Sequence, residues 1–161
     1  MREELLTESA QIGVDDDVLD LGWDGRPLAM GIASRCRSVS FVTTDLREAL
    51  ALRERVTRQE SSVRAEYTTE IPPGPFSAVL YKPVRWSAKA RVFELMHACF
   101  DVLVPGGSLY LAGRRDGGVK SYRNRLQDLF GKVEVLYRRA GVRVYRATKQ
   151  SDTPGVPPML A

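Results

Sequence analysis

The stretch from residue 17 to residue 33, DVLDLGWDGRPLAMGIA, constrains the fold more than any other part of the chain. Val18, Leu19 and Leu21 form a short apolar run of the kind that is buried on both faces of a parallel sheet. A turn with two glycines follows, and Pro27 then predicts the first turn of a helix, because its missing N–H costs nothing there. Such a unit places free backbone N–H groups at the carboxyl edge of a sheet, where nucleotide-like ligands commonly bind.

Strand-like and helix-like segments alternate along the rest of the chain. Strands are predicted at 18–22, 39–42, 63–67, 76–81, 108–112, 133–137 and 142–146, and helices at about 2–11, 27–35, 46–56, 87–103 and 118–130. The last two strands alternate apolar and polar residues, as an antiparallel hairpin at a sheet edge does. The pattern predicts a doubly wound α/β domain with a mostly parallel seven-stranded sheet and a terminal antiparallel hairpin. We expect residues 1–149 to form this domain and residues 150–161, rich in Pro, Ser and Thr, to be disordered.

Charge is distributed unevenly along the chain, whose formal net charge is +4. Residues 71–161 carry 15 Lys and Arg against 6 Asp and Glu, a net charge of +9. Such an excess is typical of a surface that binds a polyanion, although a solvated basic surface explains it equally well. The candidates for contacts with RNA phosphates are Lys82, Arg85, Arg114, Arg115, Lys120 and Arg123, with Arg138 among further cations, and those for base stacking are Trp86, Tyr122 and Tyr137.

Other functional classes receive little support from the sequence. The two cysteines, Cys36 and Cys99, lie in or beside apolar helical patterns and are expected to be reduced thiols. His97 lies in the middle of a helix, where a packed histidine is commoner than a general base. The consecutive carboxylates at 15–17 indicate a solvated turn, and no metal site is predicted. The charged N-terminus resembles neither a signal peptide nor a membrane span, so we expect a cytoplasmic protein with no membrane partner.

From residue 14 to residue 149, the order of these segments resembles the class I S-adenosylmethionine-dependent methyltransferases. The matching motifs are DVLDLGWDG (17–25), FSAVLYKP (76–83) and LVPGGSLYLAG (103–113). Residues 103–149 are similar to the C-terminal part of the small-domain methyltransferases that modify guanine N2 in ribosomal RNA. That similarity includes Gly118, Lys120 and Ser121, and a Phe-Gly pair before a Val-Glu-Val strand. The resemblance implies S-adenosylmethionine as cofactor and structured RNA as partner.

The turn after the first strand departs from the family pattern. The family places three glycines there, whereas this chain has Gly22 followed by Asp24 and Arg26 at the other two positions. Arg26 would add a positive charge beside the cofactor's sulfonium, so its affinity is expected to be low or lost. Asp45 with Glu48 also forms a capping box, which we weigh above a role in ribose binding. The cofactor-binding residues that the resemblance implies are Asp20, Gly22, Asp24, Gly25 and either Thr44 or Asp45.

The tetrad after the fourth strand bears on catalysis. Amino-directed members of the family have Asn-Pro-Pro-Phe there, and the Asn oxygen accepts a hydrogen bond from the target amino group. This chain has Lys82, Pro83, Val84 and Arg85 instead, and a lysine ammonium can only donate. The resemblance therefore implies a methyltransferase-family domain with weak or lost catalysis. The alternative is a non-catalytic RNA-binding or scaffold module, similar to the inactive half of some two-domain ribosomal RNA enzymes, which could act as a homodimer or with a partner protein.

Overall fold

The computed structural model describes residues 4–22, 27–59, 62–83, 87–115 and 118–155. Its helices are α1 (Glu4–Ser9), α2 (Ala29–Ile32), α3 (Leu46–Gln59), α4 (Lys89–Val102) and α5 (Val119–Phe130), with a 3-10 turn at Ala33–Arg35. Its strands are β1 (Asp17–Leu21), β2 (Ser38–Thr43), β3 (Val63–Tyr67), β4 (Phe76–Tyr81), β5 (Leu103–Arg114), β6 (Gly131–Arg139) and β7 (Val142–Lys149).

The strands of the described residues form one seven-stranded sheet in the order β3-β2-β1-β4-β5-β7-β6. The first five strands in this order are parallel to one another. Strand β7 is antiparallel to β5, and β6 is antiparallel to β7 at the edge of the sheet. The predicted fold class, a mostly parallel sheet with a terminal antiparallel hairpin, is confirmed.

Helices cover both faces of this sheet, because its central strands are apolar on both sides. On one face α1, α2 and α3 pack over a core that contains Ile32 and Phe41. On the other face α4 and α5 pack over a core that contains Val79, Phe100 and Leu126. The two layers leave the carboxyl ends of the parallel strands at one edge, where connecting segments can line a site.

Several element boundaries differ from the predicted ones, among them the starts of α2 and β5. Helix α2 begins at Ala29 and not at Pro27, and the Asp20 carboxylate accepts the backbone N–H groups of Leu28 and Ala29 at its start. Strand β5 begins at Leu103, five residues before the predicted start at 108. Its first residues continue along β4, since Leu103 pairs with Phe76.

The C-terminal segment contacts the last turn of helix α5. Residues 150–155 form neither helix nor strand, and the backbone N–H of Gly155 donates to the Leu129 carbonyl at 2.9 Å. Residues 156–161 lie outside the described part of the chain, so the disorder predicted for 150–161 stays a prediction, as does the domain boundary at 149. In the described residues, no helix combines the length and apolar character needed to cross a bilayer.

Candidate active site at the carboxyl edge of the sheet

The carboxyl ends of β1, β2 and β4 lie side by side, since β1 is paired in parallel with both neighbours. This arrangement brings the candidate residues Asp20, Gly22, Thr44, Asp45 and Lys82 to one edge of the sheet. The candidates Asp24, Gly25, Val84 and Arg85 fall outside the described residues, as do Arg26 and Trp86. The sequence therefore placed the described candidates at a common edge, and their roles there stay predictions.

Asp20 is the most unusual of these side chains, because it is a carboxylate that is only 1% exposed. Its Oδ2 accepts hydrogen bonds from the backbone N–H groups of Leu28, at 2.6 Å, and Ala29, at 2.9 Å. Burial raises the pKa of Asp20 to about 7, against the lowering effect of these two N–H groups. The carboxyl group thus connects the end of β1 to the start of α2 and changes its charge near neutral pH. Because it accepts both N–H groups, these are not the free donors that the sequence predicted at the start of this helix.

Two further charges act on the Asp20 carboxylate. The positive charge of Lys82, directly after β4, lowers the pKa of Asp20, and the negative charge of Glu48, on α3, raises it. Lys82 is half-buried, and the following Pro83 is buried. The edge therefore combines two carboxyl groups with an ammonium group, which can donate hydrogen bonds but cannot accept them.

Gly22 is required by packing at the end of β1. A Cβ atom at this position would lie 2.0 Å from Cε1 of the Phe41 ring, which is itself fully buried. The Gly22 backbone N–H donates to the Val42 carbonyl at 2.9 Å, so the residue continues the pairing with β2. The space left by the missing Cβ of Gly22 is therefore filled by the Phe41 ring of the neighbouring strand β2, independently of any ligand at the open edge of the sheet.

Asp45 caps helix α3, the role that the sequence favoured for it. Its Oδ1 accepts a hydrogen bond from the backbone N–H of Arg47 at 2.9 Å, and its own N–H donates to Thr43 Oγ1 at 3.0 Å. Thr44, the other ribose candidate, is exposed at the same edge. Of the two, Asp45 already uses one oxygen within the protein, whereas the Thr44 side chain faces solvent.

The basic candidates fall into separate places. Lys82 lies after β4 and Arg114 is exposed at the end of β5, while Arg115, Lys120 and Arg123 line one groove between α5 and the β6–β7 hairpin. The expectation that Tyr122 offers a stacking surface was wrong, because its ring is 3% exposed and packs edge-on against Phe93. Its ring packs in the core, because Tyr122 lies on the apolar face of helix α5 that is turned toward the sheet.

The residues for which the sequence predicted no functional role lie in the core or in local polar contacts. His97 is buried on α4, with Nδ1 3.8 Å from Asp101 Oδ2. Cys99 is fully buried and Cys36 is partly buried, and both are free thiols. Within the acidic turn, Asp16 accepts a hydrogen bond from Ser77 and Asp17 pairs with Arg37.

Comparison with known proteins gives the fold a functional context. No model of a protein family matches the chain. Among solved structures, it is similar to the T. thermophilus 16S rRNA N2 methyltransferase RsmC in complex with AdoMet and guanosine, with a TM-score of 0.74 and 22% identity. That match covers 96% of this chain but only 40% of RsmC, so this chain spans less than half the length of that protein.

Two further matches cover most of both partners. A Pyrococcus furiosus methyltransferase has a TM-score of 0.68 and 18% identity over 88% of this chain and 78% of its own. The Bradyrhizobium japonicum N-methyltransferase NodS, in complex with S-adenosyl-L-homocysteine, has a TM-score of 0.64 and 13% identity over 89% and 82%. This is the α/β fold of methyltransferases. At these identities the likeness establishes the methyltransferase fold, and activity is a separate question.

Sequence reasoning missed the two polar residues that β7 contributes to the basic groove. Arg143 and Tyr145, on β7, line it together with Arg115, Lys120 and Arg123. A signal was present in the sequence, since Arg138 and Arg143 flank a short hairpin connection and face each other when the hairpin closes.

Proposed function

We propose that this chain is an S-adenosylmethionine-dependent methyltransferase-family domain, related to ribosomal RNA guanine-N2 methyltransferases, in which methyl transfer is weak or absent. The observation that carries this proposal is the sheet edge at the junction of β1 and α2, where the carboxyl ends of β1, β2 and β4 lie side by side in a fold shared with methyltransferase structures. The family that the chain resembles binds its cofactor at this junction. The likeness to methyltransferase structures supports the same location here.

The charges at this edge act on a cationic cofactor in both directions, and the weak binding proposed here rests on Lys82 and on Arg26 in the turn after β1. The residues that would hold S-adenosylmethionine are Asp20, Gly22, Asp24 and Gly25 for its methionine part and Thr44 or Asp45 for its ribose. With the cofactor bound, the Asp20 and Glu48 carboxylates would attract its sulfonium, whereas the Lys82 ammonium would repel it. Because the pKa of Asp20 is about 7, the attraction is complete only above neutral pH.

The residue at position 82 argues against efficient methylation of an amine. When bound, S-adenosylmethionine supplies an electrophilic methyl group, which an amine attacks with its lone pair. An acceptor close to the amino protons orients that lone pair, but the Lys82 ammonium is a donor and has no acceptor to offer. The side chain thus opposes both the orientation of the amine and the positive charge that develops on it.

Isothermal titration of the purified protein with S-adenosylmethionine and with S-adenosylhomocysteine tests the cofactor site. We expect weak binding of both ligands, and a Lys82→Met variant should bind S-adenosylmethionine more tightly while changing S-adenosylhomocysteine less, because only the former carries a sulfonium. Lys132→Met, an exposed lysine on β6, is the matched control. Absence of binding of either ligand at millimolar concentration contradicts the cofactor assignment.

Transfer of a labelled methyl group to ribosomal RNA tests the second half of the proposal. Little or no incorporation is expected from the protein, even when the cofactor is saturating. Efficient, stoichiometric methylation would overturn the conclusion that Lys82 has replaced the catalytic acceptor.

A non-catalytic RNA-binding module is the second candidate function. The observation that favours it is the groove between α5 and the hairpin, where basic residues gather away from the β1–α2 junction. RNA binding that does not depend on S-adenosylmethionine, measured in the absence of any cofactor, is the result expected for this function.

A further inference from the structure

Five cationic side chains converge on the groove between α5 and the β6–β7 hairpin, which has a volume of about 350 Å³. They come from separate elements and are Arg115 after β5, Lys120 and Arg123 on α5, Arg138 on β6 and Arg143 on β7. The groove's lining includes no acidic side chain among the described residues. Arg143 donates only to the carbonyl of its neighbour Val142, at 2.9 Å, so the groove concentrates positive charge that the described residues leave uncompensated.

A β-bulge in β6 determines which residues face this groove. Val135 pairs with Tyr145, but the next pair joins Tyr137 to Val144, so Leu136 is an extra residue on β6. Side chains alternate between the faces of a regular strand, and Arg138 would then lie on the face opposite Val135. The bulge reverses this alternation and turns Arg138 toward the same face as Val135. A local irregularity of the backbone thus adds a cation to the groove.

The resulting arrangement works against the stability of the hairpin. Arg138 and Arg143 are directly paired across β6 and β7, and like charges in that position repel each other. The charges of Arg123, Arg143 and Arg138 all lower the pKa of Tyr145, against the effect of burial, so these guanidinium groups gather around one hydroxyl. A cluster that opposes folding is typical of a binding site.

We propose that this groove binds consecutive phosphates of an RNA backbone, a proposal that rests on the RNA partner suggested above. Guanidinium groups match the oxygens of phosphate in pairs, and several of them along one groove fit a chain of phosphates better than a single anion. Val135, 47% exposed on the floor of the groove, offers an apolar contact for a ribose.

The position of the groove suits an RNA that also reaches the candidate active site. The backbone N–H of Arg115 donates to the Gly141 carbonyl at 2.7 Å, which ties the hairpin turn to the end of β5. Strand β5 lies next to β4, whose carboxyl end carries Lys82. An RNA held in the groove would therefore continue along the same edge of the sheet toward Lys82.

Fluorescence anisotropy of a labelled RNA hairpin, titrated over a range of salt concentrations without cofactor, tests the proposal. If all five cations engage phosphates, log K should fall with log salt with a slope of about −3.5 to −4.5, so that affinity drops roughly 130- to 500-fold between about 50 and 200 mM. The double variant Arg138→Gln with Arg143→Gln keeps three contacts and should drop only about 20- to 40-fold.

A matched double variant, Arg47→Gln with Arg55→Gln, removes the same charge from exposed positions on α3, on the other face of the sheet. It should retain a slope close to that of the unaltered protein. The groove variant should also melt no lower than the unaltered protein, because it relieves the repulsion across the hairpin. An unchanged slope in the groove variant, an equal loss in the α3 variant, or binding of poly-glutamate as tight as that of RNA would each overturn the proposal.

The same preparations separate this proposal from that of the cofactor site. Titration with S-adenosylhomocysteine should give the same affinity for the groove variant as for the unaltered protein, since the groove lies apart from the β1–α2 junction. RNA binding without any cofactor binding would contradict the cofactor assignment and support the groove. Cofactor binding, together with an unchanged salt slope of RNA affinity in the groove variant, would support the cofactor assignment and contradict the groove proposal.

Discussion

Replacement of Asp20 by Asn should remove a specific pH dependence from the stability of this protein. The carboxyl group is 1% exposed, and burial raises its pKa from an ordinary value of 3.8 to about 7. Asparagine is nearly isosteric, keeps an oxygen that can accept the N–H groups of Leu28 and Ala29, and has no charge at any pH. The variant therefore changes the titration while it retains the connection between β1 and α2.

The sign and size of the effect follow from the two pKa values. Between pH 3.8 and about 7 the folded protein holds a proton on Asp20 that the unfolded chain has released. The free energy of unfolding consequently falls as pH rises through this range and is constant, for this group, above it. A shift of about three pH units at about 1.4 kcal/mol per unit corresponds to roughly 4 kcal/mol.

Urea unfolding, followed by tryptophan fluorescence at pH about 4 and about 8, measures this difference. From pH about 4 to about 8, the free energy of unfolding of Asp20→Asn should rise by roughly 4 kcal/mol relative to that of the unaltered protein. The other groups titrate equally in both proteins, so they do not contribute to this difference. Asp17→Asn is the control, since Arg37 and Ser38 lower the pKa of Asp17 to about 2 and its linkage lies mainly below pH 4. Parallel pH profiles for Asp20→Asn and the unaltered protein would refute the reasoning, and would mean that the two N–H groups and Lys82 keep the carboxylate ionised.

Three further substitutions test packing, at Gly22 beside the candidate site and at Lys149 and Gly131 at the opposite edge of the sheet. Lys149 is 4% exposed, and its Nζ donates to two carbonyl oxygens at the end of α4. Lys149→Met should therefore lower the free energy of unfolding in urea by about 3 kcal/mol, whereas Lys132→Met, at an exposed position, should lower it by less than about 0.5 kcal/mol. Gly22→Ala should cost about 1–3 kcal/mol because its methyl group meets the Phe41 ring, and full stability of this variant would contradict the contact. Gly131→Ala, at a φ of 85° with open space around it, should cost about 1 kcal/mol from the backbone alone, which calorimetry can compare with Gly22→Ala.

Topology could be predicted because each central strand carries a strong local signal. FSAVLY at 76–81 is apolar except for Ser77, and the structure buries β4 between helices on both faces. The antiparallel hairpin shows a different pattern, and its alternation predicted an edge. Element boundaries were harder, since the start of α2 contacts the carboxylate of Asp20, eight residues away in sequence.

The geometry of the groove and of the candidate active site could not be predicted, because it depends on a bulge and on tertiary packing that local sequence patterns do not show. A bulge at Leu136 sets the face of Arg138, and strict alternation from Val135 predicts the wrong face. The burial of Asp20 is likewise a result of three-dimensional packing, because an acidic residue at a strand end is usually solvated. Sequence therefore identified which residue types lie at the edge but not which of them share a groove.

The β1–α2 junction and the groove between α5 and the hairpin differ in whether folding alone explains their residues. Asp20 and Gly22 are both used by the fold itself, one to fix the start of α2 and the other to accommodate Phe41, so their presence is explained without any cofactor. The pair of Arg138 and Arg143 has the opposite relation to the fold, since it repels across the hairpin in a groove without acidic lining among the described residues. Folding alone does not explain that pair, and a bound polyanion does, because it would turn the repulsion into attraction.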